Sequence, residues 1–320
     1  MQLPTDPDTG ARDPRRVAVD LFHAVSRSMR GADEVVGMSV VALLAGGHLL
    51  LEGVPGTGKT LLAKSLAAAI GGRFGRVQCT PDLLPADVTG TSVYGPATGE
   101  WEFRPGPVFA NVVLVDEVNR ASPRTQAALL EPMEEHQVTI DSETHRLPEP
   151  FFLIATENPF GTAGTFPLPE SQLDRFSLVC TLGRPSRDAE REILGGTGGV
   201  DALDGIEPVT TPTELVATMA AVRRVHCANS VLDYVLDVAD ATRAHPGVVL
   251  GASPRASLGL LHASQAHATV MGRDFVSPDD VKAVAGAALA HRIVLANGVD
   301  IAAGAHVVGE IVGVVAAPRP

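Results

Sequence analysis

One stretch of the chain has the residue types and spacing of a phosphate-binding loop. The segment LLLEGVPGTGKTLLAKSLAAAI places Gly53, Gly58, Lys59 and Thr60 in the pattern G-x-x-x-x-G-K-[ST], between an apolar strand and an apolar helix. Backbone N–H groups of such a loop close on phosphate oxygens at a helix start, where the helix dipole favours an anion. Lys59 would reach the β- and γ-phosphates and Thr60 would ligate Mg²⁺. The residues expected to contact the nucleotide here are Gly53, Pro55, Gly56, Thr57, Gly58, Lys59, Thr60 and Leu61.

Two adjacent acids, Asp116 and Glu117, end the apolar run NVVLVDE. Successive side chains of a strand point to opposite sides, so one carboxylate can face Mg²⁺ while the other reaches a water beside the γ-phosphate. Such a pair is usually solvated when it stands alone. Next to a phosphate loop it predicts a metal ligand, Asp116 with Thr60, and a general base, Glu117. No NKxD-type base-reading motif occurs, which favours an ATP hydrolase over a GTPase.

Three further polar residues fit the same chemistry. Asn158 ends the apolar run FFLIATEN and could orient the attacking water, although Asn before Pro is also typical of an ordinary turn. Arg175 precedes another apolar run, and Arg255 lies at the second position of a predicted helix, where a positive charge opposes the dipole. A surface salt bridge is the alternative for each arginine. A cation at a helix start is useful if a phosphate approaches it.

The elements that must position these residues form two domains. The runs RVQC, NVVLVD, FFLIAT and SLVCTL are apolar throughout and widely separated, which predicts a parallel sheet covered on both faces. Helix-start signals follow at Thr211, Ser253 and Ser277, which predicts a helical second half. We expect a disordered tail over 1–18, an α/β core over 19–195 and a helical domain over 206–320. Turn signals predict hairpins near 91–109 and 136–150.

Composition narrows the class of protein. The 320 residues are 45% apolar, enough for a sizeable core, and the net charge of −12 disfavours binding to a nucleic-acid backbone. Cys79, Cys180 and Cys227 form no C-x-x-C pattern, which indicates a reducing, cytoplasmic compartment. The first fourteen residues lack the pattern of a secretory signal. The uncharged run VVGMSVVALLAGGHLLL is about 17 residues long, and we interpret it as a helix and a buried strand, not a membrane span.

The motifs GVPGTGKT, VLVDEVNRA, IATENP, TFPLPESQLDRF and GASPRA, in this order and spacing, resemble the MoxR family of AAA+ ATPases over about residues 20–316. The resemblance implies an AAA+ P-loop core with a parallel five-stranded sheet in the order 5-1-4-3-2, followed by an all-α lid. It implies these roles: Walker A for Lys59 and Thr60, Walker B for Asp116 and Glu117, sensor 1 for Asn158, the arginine finger for Arg175 and sensor 2 for Arg255.

The same resemblance implies a working context. The finger of one subunit would act on the ATP of its neighbour in a homo-oligomeric ring, expected to be a hexamer. The ring would remodel or activate client protein complexes, often with a partner that carries a von Willebrand factor A domain. A magnesium-chelatase-type AAA+ subunit, a DNA motor and a nucleotide-gated assembly scaffold with incidental turnover remain alternatives. The client itself is not readable from the sequence.

Some residues depart from the family pattern or leave two interpretations open. Glu157 stands where the family commonly has Gln, which adds a carboxylate beside Asn158. Pro132 interrupts AALLEPMEEHQ, so this helix should kink or stop early. Trp101 and Phe103 could face a central pore and contact a client. Packing on the core is the favoured alternative, because large aromatic side chains are mostly buried.

Overall fold

The computed structural model describes residues 12–158 and 164–318. Its strands are β1 (Leu49–Glu52), β2 (Phe74–Gln78), β3 (Gly90–Gly95), β4 (Glu100–Pro105), β5 (Val112–Asp116), β6 (Gln137–Ile140), β7 (Glu143–Arg146), β8 (Phe152–Glu157), β9 (Leu178–Thr181), β10 (Val248–Leu250) and β11 (Val294–Leu295). Its α-helices are α1 (Pro14–Ser26), α2 (Asp33–Leu44), α3 (Lys59–Ala69), α4 (Pro85–Thr89), α5 (Pro123–Ala127), α6 (Leu130–Glu135), α7 (Glu170–Leu173), α8 (Arg187–Leu194), α9 (Val200–Leu203), α10 (Pro212–Val222), α11 (Asn229–Ala244), α12 (Pro254–Val270), α13 (Pro278–Leu289) and α14 (Ile301–Val314).

The centre of the molecule is a parallel sheet in the order β2-β5-β8-β1-β9. When these five strands are numbered 1 to 5 in chain order and read from β9, their order is the predicted 5-1-4-3-2. The AAA+ core is therefore confirmed. Neighbouring residues of one strand serve opposite faces of the sheet. Leu49 and Leu51 join one hydrophobic cluster, while Leu50 joins the other. Both faces are covered, as the continuous apolar runs predicted.

The larger cluster extends from the sheet into the helical domain. It contains Leu66 of α3, Val36 of α2, and Leu260 and Val284 of the lid helices α12 and α13. The lid therefore shares a continuous apolar interior with the core. The lid also contains an antiparallel ribbon of β10 and β11, which the sequence did not predict.

Side-chain caps begin the lid helices at the predicted residues. The Thr211 hydroxyl accepts the N–H of Glu214 at the start of α10, and the Ser253 hydroxyl accepts the N–H of Ala256 at the start of α12. Ser277 begins α13 in a capping box. Each cap satisfies an N–H group that has no partner within its helix. The helix starts were therefore set by local sequence.

Two hairpins project from the core within the regions predicted for them. The strands β3 and β4 form the first, and β6 and β7 form the second. The ring of Phe103 stacks on that of His145 with centroids 3.9 Å apart, which joins the hairpins to each other. Trp101 is 72% exposed and contacts the ring of Tyr94. The expectation that Trp101 packs on the core was wrong, because its strand projects beyond the sheet.

The amino-terminal boundary of the core needs a correction. Helix α1 begins at Pro14, where the Asp13 carboxylate accepts the N–H of Arg15, and Val17 and Ala18 are buried. The predicted tail over 1–18 is therefore wrong for its last five residues, because a cap, a proline at the first helical position and an apolar face together form a helix start. Residues 1–11 lie outside the described part of the chain.

Pro132 has the effect predicted from the sequence. The segment folds as two short helices, α5 and α6, separated at residues 128–129. Pro132 lacks the N–H that would bond the carbonyl of Ala128, and its ring crowds that carbonyl. The helix is therefore interrupted four residues before the proline.

The apolar run 35–51 folds as α2 followed by the buried strand β1. Among the residues that the structure describes, none of the helices combines the length and apolar character that crossing a membrane requires. The run is apolar because α2 and β1 are both buried in the core.

A buried carboxylate in the lid gives the first prediction. Asp280 is fully buried and accepts hydrogen bonds from the N–H and hydroxyl of Ser277, while His267 Nδ1 lies 2.7 Å from it and Arg273 also pairs with it. Asp280→Ala should lower the free energy of unfolding by about 3–5 kcal/mol, because it removes a buried carboxylate and leaves the partly buried His267 and Arg273 without their partner. Denaturant titration would measure this. Asp279→Ala, at a side chain that is 86% exposed, is the control and should change the free energy by less than about 0.5 kcal/mol. Equal midpoints for both variants would contradict the interpretation.

Candidate functional site

The phosphate loop connects the carboxyl end of β1 to the start of α3. Gly56 and Gly58 have φ of 83° and 101°, values that a side chain would disfavour. A Cβ at Gly53 would lie 2.6 Å from the carbonyl oxygen of Leu182, so the loop also needs glycine for space. The Lys59 ammonium donates to the carbonyls of Gly53 and Val54. The backbone thus has the form that a phosphate-binding loop requires.

The acidic pair lies at the carboxyl end of β5 and is held by a threonine of β8. Asp116 accepts hydrogen bonds from the Thr156 hydroxyl and from Arg76, both at 2.7 Å. The N–H of Glu117 donates to the same hydroxyl at 2.8 Å, and the Glu117 carboxylate pairs with Arg120 at 2.8 Å. Thr156 therefore fixes both acids relative to the next strand. Sequence reasoning did not identify it.

The direction of Glu117 has a different cause from the predicted one. Strand β5 ends at Asp116, and Glu117 adopts a left-handed backbone conformation with φ of 56°. A non-glycine residue rarely adopts it unless the surroundings impose it. The direction of the Glu117 side chain is therefore set by this turn and not by strand alternation.

Asn158 follows β8 at the same edge of the sheet. Strands β1 and β8 pair in register so that Glu52 lies opposite Glu157, which places Asn158 beside the first residue of the phosphate loop. The structure therefore brings together the loop, the acidic pair and Asn158. The reason is that the carboxyl ends of parallel strands share one edge.

A cleft of about 440 Å³ adjoins the phosphate loop and was not predicted. Its walls are the loop residues 56–58 with Leu61, the connection between α1 and α2 at 28–32, the segment 181–185 after β9, and the residues Glu34, Val35, Ile193, Gly199 and Val200. The only feature of the sequence that pointed to these connecting segments was a glycine in each, Gly31 and Gly183. In the structure, Gly31 has φ of 74°. The position beside the loop and the mainly apolar walls suit a nucleotide base.

Arg175 and Arg255 lie at the opposite edge of the sheet. The N–H of Ser177 donates to the carbonyl of His48, the residue before β1, so Arg175 belongs to the amino ends of the strands. The chain from His48 to Gly53 advances by five residue steps of extended strand, roughly 16 Å. The arginines therefore do not reach the phosphate loop of their own chain.

The two arginines are brought to each other by one carboxylate. Arg175 Nη2 lies 2.9 Å from one oxygen of Glu134 on α6, and Arg255 Nη1 lies 2.6 Å from the other. Each arginine does form a salt bridge, as the alternative interpretation held, but both share the same acid. Glu134 carried no signal in the sequence, since it is one of three glutamates in EPMEE.

Comparison with known proteins identifies the family. The model of the ATPase family associated with various cellular activities (AAA) matches residues 48–178, and that of the AAA lid domain matches residues 240–308. The uncharacterized protein YeaC of Bacillus subtilis is 46% identical over 85% of this chain and 85% of its own length. Chaperone MoxR1 of Mycobacterium tuberculosis is 43% identical over 85% of this chain and 74% of its own. The chain belongs to the MoxR family of AAA+ ATPases.

A solved structure agrees with this membership. A candidate ATPase from Cytophaga hutchinsonii superimposes with a TM-score of 0.86 at 33% identity, over 96% of both chains. Protein MoxR of Paracoccus denitrificans is 32% identical over 86% of this chain and 88% of its own length. The MoxR-family architecture therefore extends through both domains, and a nucleotide-binding ATPase core is its common feature.

This MoxR-family chain has a second acidic pair, Glu157 with Glu52, of which only Glu157 was identified from the sequence. Glu157 adjoins Asn158 and lies opposite Glu52 in the sheet, and both line a cleft with Asp300 at the start of α14. Burial raises the pKa of Glu157 to about 7, and the charge of Glu52 adds to the shift. Burial, with the charge of Asp300, also raises the pKa of Glu52. Two acidic side chains side by side in a sheet disfavour ionisation of both.

The pH dependence of stability follows from the raised pKa of Glu157. The folded state keeps the proton up to about pH 7, whereas the unfolded chain loses it near the ordinary value of 4.5. The stabilising contribution is therefore complete below pH 4.5 and is lost as the pH rises through 7. At pH 8, Glu157→Gln should be more stable than the parent by up to about 3 kcal/mol, with no difference at pH 4. Thermal unfolding from pH 4 to 8 would test this, with the exposed Glu143→Gln as control. A constant difference between parent and variant would contradict the assignment.

Proposed function

We propose that this MoxR-family chain hydrolyses ATP with Mg²⁺ at the interfaces of a homo-oligomeric ring and uses the cycle to remodel client protein complexes. One observation carries the proposal. Each subunit holds its phosphate loop at one edge of the sheet and its two candidate phosphate-binding arginines at the other. A complete site therefore needs the loop of one copy and the arginines of a second copy.

The residues at the loop edge fit magnesium and a terminal phosphate. Thr60 and Asp116 offer a hydroxyl and a carboxylate, the oxygen ligands that Mg²⁺ prefers alongside phosphate oxygens. When bound, Mg²⁺ would neutralise charge on the phosphates. Lys59, on a partly buried loop near the acidic pair, would meet the β- and γ-phosphates.

Glu117 and Asn158 would act on the attacking water. Glu117 would take the proton as the water oxygen bonds to the γ-phosphorus, while the bond from that phosphorus to the bridging oxygen breaks and ADP leaves. Asn158 would hold the water in line with the breaking bond. Arg120 pairs with the Glu117 carboxylate at 2.8 Å, so Glu117 must exchange this partner for the water. Arg175 and Arg255 of the neighbouring copy would stabilise the charge on the transferred phosphoryl group.

The surroundings support a protein-remodelling role in the cytoplasm. Trp101 and Tyr94 expose aromatic rings at the end of the first hairpin, a surface suited to an unfolded client segment. Cys79, Cys180 and Cys227 are free thiols, as in a reducing compartment. A hexamer and a von Willebrand factor A domain partner rest on the family resemblance. Nucleic acid is not expected as a partner, given the net charge of −12.

Lys59→Ala tests the nucleotide site. The variant should lose ATP binding, because it removes the charge that meets the terminal phosphates. Titration with a fluorescent ATP analogue would measure the affinity, and Lys64→Ala, one turn further along α3, is the matched control. ATP affinity equal to that of the parent would refute the loop assignment.

Arg175→Ala tests the shared site. We expect normal ATP binding, because the phosphate loop of each subunit is intact. Hydrolysis should fall on the order of 10³-fold or more, because the neighbouring subunit no longer supplies Arg175 to the bound ATP. Mixing with inactive Glu117→Gln should restore turnover, because about one interface in four then combines an intact Glu117 with an intact Arg175. The specific activity of the parent should also fall on dilution. Concentration-independent turnover without rescue on mixing would leave Arg175 as a surface ion pair.

A further inference from the structure

Glu134 occupies the point where the core and the lid present their arginines. Its two carboxylate oxygens contact different side chains, Arg175 of the core and Arg255 of the lid, which are 80 residues apart in the sequence. Two guanidinium groups this close repel each other unless a negative charge lies between them. The hydrogen bond from Arg255, opposed by partial burial, lowers the pKa of Glu134 and keeps it ionised. Glu134 therefore makes the close approach of the two cations favourable.

The bridge leaves part of Arg255 available to another partner. Arg255 is 47% exposed and uses Nη1 for Glu134, and a guanidinium has five N–H donors in a planar fork. Arg175 is only 20% exposed, with Nη1 donating to the carbonyl of Ser171 and Nη2 to Glu134. Both guanidinium groups are thus held in defined positions at the surface.

The helix that carries Glu134 is tied to the sheet by a buried histidine. His48 Nδ1 accepts the N–H of Leu153, so Nε2 carries the proton and donates to the carbonyl of Met133 at 3.0 Å. Burial lowers the pKa of His48 to about 4, which keeps the ring neutral in this arrangement. The residue before Glu134 is therefore fixed to the ends of β1 and β8.

The segment that carries Arg175 is tied to the lid. Arg292 donates to the carbonyls of Asp174 and Phe176, and its Nε lies 3.1 Å from the Asp174 carboxylate. His291 donates to the carbonyl of Phe176 at 2.8 Å. The backbone on both sides of Arg175 is thus bound to the lid. Glu134, which pairs with the Arg175 side chain, lies on a helix that is bound to the core.

We propose that Glu134 is a positioning residue for trans hydrolysis: it joins Arg175 and Arg255 into one unit, so that both reach the terminal phosphate of the neighbouring copy together. The proposal rests on the shared site proposed above and adds a residue to it. Glu134 itself does not touch the nucleotide. Its contribution is to set the separation and direction of two cations before the phosphate arrives.

Glu134→Gln removes the charge and keeps the shape. Turnover should fall on the order of 10- to 100-fold, because the two guanidinium groups repel each other and lose their common geometry. The affinity of the same chain for ATP should not change, because its own phosphate loop lies at the other edge of the sheet. Glu135→Gln is the matched control on the same helix, where the carboxylate accepts a hydrogen bond from Gln137, and it should keep parental turnover.

Mixing experiments separate positioning from a general loss of structure. Glu134→Gln with Glu117→Gln should recover activity, because the first variant supplies an intact loop and acidic pair and the second supplies intact arginines with their bridge. Glu134→Gln with Arg175→Ala should not recover, because both defects lie at the same edge of the sheet. A variant that was merely unstable would fail with either partner.

Three results would overturn the inference. They are parental or higher turnover in Glu134→Gln, recovery when it is mixed with Arg175→Ala, and a further loss of the same size when it is added to Arg255→Ala. If Arg175→Ala is inactive and Glu134→Gln is fully active, only the role of Glu134 fails. If Arg175→Ala itself keeps full turnover, the shared site fails and this inference fails with it.

Discussion

The common direction of the five sheet strands is the constraint on which the rest of this structure depends. In a parallel sheet every residue that follows a strand lies at one edge, and every residue that precedes a strand lies at the other. The phosphate loop, the acidic pair and Asn158 follow β1, β5 and β8. Arg175 precedes β9. The backbone alone therefore places the phosphate loop, the acidic pair and Asn158 at one edge and Arg175 at the other.

The arginine edge is organised by charge in a partly desolvated setting. Glu134 and Asp174 alternate with Arg175, Arg255 and Arg292, with separations between 2.6 and 3.9 Å. Ion pairs of this kind contribute little at a fully exposed surface, but geometry and partial burial increase their contribution. The cluster includes side chains from the core and from the lid, so a change in lid position would move Arg175 as well. Two domains that meet only through apolar contacts would lack this link.

The loop edge is organised in the opposite sense, by carboxylates that the sheet forces together. Glu52 and Glu157 are register partners at the ends of β1 and β8, and Asp300 of the lid lies at the same cleft. Burial, with the added charge of Glu52, raises the pKa of Glu157 to about 7, so its proton is retained to about that pH. Asn158 also lines this acidic cleft, so Asn158 and the adjoining start of α14 share one electrostatic environment. In the described part of the chain, charged side chains of the core and the lid therefore lie near each other at both edges of the sheet.

The sequence by itself determined the strands of the central sheet, the starts of three lid helices, and the phosphate loop, acidic pair and Asn158 at the loop edge. Uniformly apolar runs predict a doubly covered parallel sheet, the glycine spacing predicts a phosphate loop, and side-chain caps begin a helix from four neighbouring residues, because all three are local properties of the chain. Tertiary structure alone decided what depends on residues far apart. Four features have no local sequence pattern. They are the contact of Thr156 with the acidic pair, the base-sized cleft beside residues 28–35, the exposure of Trp101, and the position of Glu134 between two arginines from different domains. Glu134 lies between Arg175 and Arg255 only because the parallel sheet and the docked lid bring the two arginines to the same edge. A contact between such distant segments produces no periodicity or spacing in the sequence, so a single sequence cannot reveal it.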